Sequence, residues 1–106
     1  MKFSLCRATL RRENRIFAGT AGVSPANRPH GFRPAFHDSH TGRTAIARFA
    51  DGRPAPCHVL DGVPGEWVAL RGPAGEVRRL KQTVVAGFVR AGRFYTRAQA
   101  AQTLIP

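Results

Sequence analysis

From Gly31 onward the apolar residues come in short runs, and a Gly or Pro turn closes each one. This punctuation constrains the fold most. Runs of about four to eight residues suit strands, whereas helices need longer periodic stretches. Residues 32–37 read as a first strand and residues 44–50 as a second, which Asp51-Gly52 closes with a two-residue hairpin signal. Pro54 and Pro56 have no amide hydrogen to give a ladder. The return strand is therefore an edge, or begins only at residues 57–60. Residues 66–71 and 76–81 flank Gly72-Pro73-Ala74-Gly75, the clearest hairpin in the chain. Residues 83–90 form a β-branched apolar run in which Gly87 predicts a bulge or a bend at a barrel corner. Ala91-Gly92 then turns the chain into residues 93–95.

The last element reads as a helix. Thr96 is a good N-cap, and Gln99 three residues later completes a capping box. Residues 97–102 are strong helix formers, with Ala98, Ala101 and residues 104–105 available to face a core. These elements predict one α+β domain, mostly β, over residues 31–106. Its expected form is a small twisted antiparallel sheet or partly closed barrel with a short C-terminal helix.

Residues 1–30 differ in kind. They carry Lys2, Arg7, Arg11, Arg12, Arg15 and Arg28 against the single acid Glu13. Residues 18–29 contain only one large apolar side chain, Val23, which is too little to offset the entropy of ordering. Leu5, Thr9, Arg12 and Ile16 fall roughly on one face, so a short helix over residues 4–17 is compatible with the pattern. The segment reads as a mobile basic arm that the fold does not need.

Fifteen arginines and two lysines face six acids, a formal net charge of +11 on 106 residues. A GC-rich codon supply favours Arg over Lys without selection for binding, but it does not explain the shortage of acids. Such a field attracts nucleic acid, anionic lipid or acidic proteins. No apolar run approaches the roughly 20 residues of a membrane helix, and Arg7 interrupts the apolar start of the chain, against an ordinary secretory signal. Cys6 and Cys57 are too few for a disulfide framework. A cytoplasmic protein with two reduced thiols is the expectation.

Two clusters carry chemistry. His37-Asp38-Ser39-His40, with Cys57-His58 further along, supplies the ligand types zinc prefers. The spacing argues against a site, because adjacent Cys57 and His58 point to opposite faces of a strand. Asp38 and Ser39 are turn residues, and no metal or other cofactor is expected. His37 or His40 as base with Asp38 as its orienter would give a small hydrolase or nuclease. No nucleophile elbow or phosphate loop accompanies them. The second cluster is the basic hairpin: Arg71, Arg78, Arg79 and Lys81 around one turn, with Arg90, Arg93 and Arg97 in the following segment. Period-two alternation places Arg78 and Arg79 on opposite faces. Trp67 in the same hairpin is either a base-stacking surface beside these cations or the core anchor of a small domain.

Gly87-Phe88, the Ala91-Gly92 turn, Gly92-Arg93-Phe94 and the Arg97-Ala98 helix start resemble a C-terminal segment of small uncharacterised proteins of phages and proteobacteria. The likeness covers about a seventh of the chain. Tyr95-Thr96 and Ala98 depart from it, where a small apolar-acid pair and an acid are usual. The resemblance implies a phage or mobile-element origin and no particular activity.

The leading expectation is a non-enzymatic protein that contacts DNA or RNA through arginine–phosphate pairs. Arg71, Arg78, Arg79, Lys81, Arg90, Arg93 and Arg97 are its expected contacts. A protein-binding inhibitor of a host defence or ribonucleoprotein complex is the alternative. The His-dependent hydrolase or nuclease comes third. The sequence leaves the oligomeric state open.

Overall fold

Two long strands, β1 (Arg33–Asp38) and β5 (Val84–Arg90), pair antiparallel in unbroken register from Arg33↔Val89 to Asp38↔Val84. The short strands β2 (Thr44–Ile46) and β6 (Arg93–Thr96) flank them, giving a four-stranded sheet of order β2-β1-β5-β6. A separate hairpin, β3 (Val68–Arg71) and β4 (Val77–Leu80), forms a two-stranded sheet. Both sheets are antiparallel, and the larger one stays open rather than closing into a barrel. The helices are α1 (Arg7–Ile16), the single turn α2 (Ser24–Asn27) and α3 (Arg97–Thr103). A computed structural model of the chain describes residues 4–103.

The turn chemistry works as the sequence predicts. Gly75 (φ 83°) and Gly92 (φ 77°) take the left-handed conformations that close the β3–β4 and β5–β6 connections. The α3 capping box is complete: Thr96 N–H donates to Gln99 Oε1 (2.9 Å) and Gln99 N–H to Thr96 Oγ1 (3.1 Å). Its buried side is Arg97 and Ala100, while Ala98 is exposed. Residues 104–105 lie outside the described residues.

The second strand is shorter than predicted. Beyond Ile46 one bridge, Arg48↔Pro54, and two bonds, Phe49 N–H to Arg53 O and Ala55 N–H to Ala47 O (both 2.9 Å), continue the pairing. Pro54 and Pro56 cannot donate, so the ladder stops and residues 57–60 form no strand. Gly87 makes no bulge. A Cβ there would run into Tyr95 O and the Phe94 ring, so this glycine lets a neighbouring side chain lie across the strand.

Residues paired across an antiparallel ladder share a face, and neighbours along a strand alternate. The register therefore puts Phe36, Asp38, Ala45, Val84, Ala86, Phe88 and Tyr95 on one face of the larger sheet. That face packs on the core. Phe36, Val84 and Ala86 meet Trp67, Val77 and Leu80 of the hairpin segment. Phe88 joins Phe32 and Ala100 of α3. Trp67 is 2% exposed and anchors this core, so it offers no surface for a base.

Residues 5–30 pack on the domain instead of standing apart as an arm. Leu5 and Leu10 are buried in the main core. Leu80 N–H donates to Leu5 O (2.9 Å), so the N-terminal segment continues the free edge of β4. The helix starts at Arg7, not Ser4, which turns Leu10 inward and leaves Ile16 65% exposed. Asn27, fully buried, holds the next loop by donating to Ala21 O (2.6 Å). The Cα radius of gyration, 13.1 Å, is that of a compact domain; about 13 Å is usual for 100 residues.

Candidate functional site

Arg7, Arg11 and Arg15 recur every four residues along the exposed side of α1, so one helical stripe carries all three. Because Leu5 ties this segment to β4, the stripe runs beside the hairpin. Arg7 and Arg11 line a groove of about 380 Å³ with Glu76, Val77 and Arg78. The only acid in its lining is Glu76, which approaches Arg78 at 3.4 Å with both side chains well exposed. Such a pair is worth little and leaves the guanidinium available.

The hairpin exposes more cations than strict alternation allows. Its register shifts between Val68 and Leu70 and again between Leu70 and Arg71. The irregularity buries Val77 and Leu80 and leaves both Arg78 and Arg79 exposed, against the opposite-face expectation. Arg79 pairs with exposed Leu70 on β3. Arg71 Nη1 donates to Gly75 O (2.9 Å) and braces the turn. Lys81 is exposed just beyond β4.

Arg90 and Arg93 belong to the larger sheet, at the β5–β6 turn. The Arg90 guanidinium lies 4.3 Å from the Phe32 ring centroid, and that of Arg93 lies 5.1 Å from that of Tyr95. They form a second basic patch, on a different sheet from the hairpin.

Arg97 does not belong to either surface. It is 3% exposed. Its Nε donates to Glu13 Oε1 (3.0 Å), its Nη1 to Gly22 O (2.9 Å) and its Nη2 to His58 Nδ1 (3.1 Å). Its guanidinium also lies 5.8 Å from the Phe88 ring centroid. A helix-opening arginine read as a phosphate contact is instead the internal tie between α1, the loop after it, residue 58 and α3. Burial holds the Glu13 carboxyl above its usual range although Arg97 opposes the shift, and burial lowers Arg97 although Glu13 opposes it.

The histidines do not share a site. His37 and Asp38 are strand neighbours and point to opposite faces, so the base–orienter pair is not formed. Asp38 instead caps its own turn, accepting from His40 N–H (3.0 Å) and Thr41 Oγ1 (3.1 Å). The Thr83 hydroxyl, followed by those turn donors, holds its carboxyl below the usual range. Cys57 is exposed, whereas His58 is turned inward between Phe36 and Phe88. Among the described residues no three His, Cys, Asp or Glu side chains gather as metal ligands. No helix of the described residues is long and apolar enough to cross a membrane.

His58 has a fixed tautomer. Gly87 O can only accept, so Nε2 carries the proton (2.7 Å), and Nδ1 accepts from Arg97. Burial first, then the Arg97 charge, lowers its pKa from 6.5 to about 4. As pH falls below 6.5 the unfolded chain takes up a proton that the folded chain refuses, so this stability is complete above 6.5 and lost towards pH 4. The raised Glu13 carboxyl works the other way and offsets part of the loss as the pH falls. Urea unfolding should show stability lower at pH 5 than at pH 7 by up to about 2 kcal/mol. His58→Gln should flatten that slope; an unchanged slope in the variant would assign it to other groups.

No protein-family model, no curated protein and no solved structure matches the chain.

Proposed function

We propose that the chain is a non-enzymatic binder of nucleic acid, acting in the cytoplasm, that grips the phosphate backbone through arginines. One observation carries this reading: the fold draws Arg7 and Arg11 of α1 and Arg78 of β4 to one groove, with Arg79, Arg71 and Lys81 exposed on the adjoining hairpin. A net charge of +11 surrounds this surface, and arginine forks match phosphate oxygens two at a time. Against catalysis by the histidine cluster, Asp38 is spent on its turn and faces away from His37.

The double substitution Arg78→Ala/Arg79→Ala tests the assignment. Each lost phosphate contact removes about 0.9 from the salt slope on duplex DNA and about 0.7 on single strands. The slope should therefore fall by roughly one to two units, and unrelated sequences should weaken about equally, since phosphate contacts position without specifying. Exposed arginines add little to stability, so the unfolding midpoint should hardly move. A partner that is a protein would show a different pattern: a complex that survives moderate salt, with only weak and unaltered binding to oligonucleotides.

A further inference from the structure

The larger sheet has a second face, and it is open around Val85, although Ala35 on it is fully buried. Arg33, Ala35 and His37 of β1, Val85, Gly87 and Val89 of β5, Phe94 and Thr96 of β6, and Thr44 and Ile46 of β2 all point away from the core. Val85 lies on a central strand and is still 37% exposed. An apolar residue in mid-sheet keeps that exposure only where little lies over it.

This face has a prepared aromatic centre. Phe94 reaches across Gly87, the one position on β5 with no side chain to stop it, and stacks on His37 at a centroid distance of 4.8 Å and 20° between ring planes. His37 Nδ1 shares a 2.8 Å hydrogen bond with Thr44 Oγ1, which fixes the imidazole and leaves Nε2 without a partner among the described residues. Four residues back along the same strand and on the same face, Arg33 is exposed with no ion pair among the described residues.

We infer that this face binds the unpaired bases of single-stranded nucleic acid, which stack on the His37–Phe94 pair while a phosphate runs to Arg33. The inference rests on the nucleic-acid reading above. Charge selects the occupant: a second copy would bring another +11 against this one, whereas a polyanion is attracted. Ring chemistry selects the single strand. Bases inside a duplex hide their π faces in the stack, and only splayed bases can lie on side-chain rings. Stacking tolerates any base, so the face is expected to discriminate strandedness rather than sequence.

The test is fluorescence anisotropy of one labelled sequence in three forms, single-stranded DNA, single-stranded RNA and duplex DNA, at fixed low salt. The proteins are the full chain, His37→Ala and Phe94→Leu. Removing a stacked ring should weaken both single strands by about five- to a hundredfold, change duplex binding less than twofold and leave the salt slope intact. His37 is half-buried and outside the core, so His37→Ala keeps the test valid if Phe94→Leu loosens the sheet. Single-strand affinity that is unchanged, or that falls in step with duplex affinity, overturns this inference while the phosphate-binding reading stands. A wild-type protein that binds none of the three overturns both.

Discussion

Replacing Arg97 with leucine should destabilise the protein by about 3–5 kcal/mol, the usual cost of removing one partner from a buried ion pair. The guanidinium holds three acceptors on three separate segments. Its loss leaves the Glu13 carboxylate and the Gly22 carbonyl short of donors and His58 Nδ1 unpaired. The pair itself is a poor source of stability: burial moves both pKa values towards the neutral forms despite mutual attraction. Breaking it is costly because an uncompensated charge stays behind. At about 4–8 °C per kcal/mol for a domain of this size, the melting temperature should fall by roughly 12–40 °C. Adding Glu13→Gln to Arg97→Leu should restore part of the loss, because contacting residues are not additive. A melting temperature within a few degrees of the wild type would show that Arg97 is not the tie described here.

Deleting residues 1–30 should abolish cooperative unfolding. The deletion removes Leu5 and Leu10 from the main core, and the acceptor for the Leu80 amide with them. It also removes Glu13 and Gly22, two of the three acceptors of Arg97. Burial of two leucines stabilises by about 3–6 kcal/mol, a large part of the roughly 5–15 kcal/mol total of a natural domain. Calorimetry or circular dichroism of residues 31–106 should show a broad, non-cooperative melt. A sharp transition close to that of the full chain would return the segment to the status of a dispensable arm.

These two effects mark where the sequence stops being readable. The β3–β4 turn and the Thr96–Gln99 capping box are legible because their chemistry is local: each residue's conformation is set by neighbours within a few positions. The packing of α1 is not local. Leu5 and Leu10 look like stray apolar residues in an arginine-rich segment, and the strand edge that gives them a core, at Leu80, lies far along the chain. Arg97 looks like a solvated helix start, and its carboxylate is 84 residues away. The open sheet face was concealed in another way. A continuous apolar run such as that of β5 carries no polar alternation to mark a solvent side, yet Val85 is exposed. Gly87, read as a bulge, is instead the gap that Phe94 crosses to reach His37. The basic hairpin was visible as a cluster, but the α1 stripe that meets it needed the fold.

The most direct measurement for the central claim is the wild-type titration itself: mixed DNA and RNA oligonucleotides at micromolar protein, repeated over a series of salt concentrations. The account predicts binding at low salt that falls linearly in log–log form with a slope of several units, as release of counterions by several arginine–phosphate contacts requires. Failure to shift any of the ligands at low salt, or binding indifferent to salt, would contradict it.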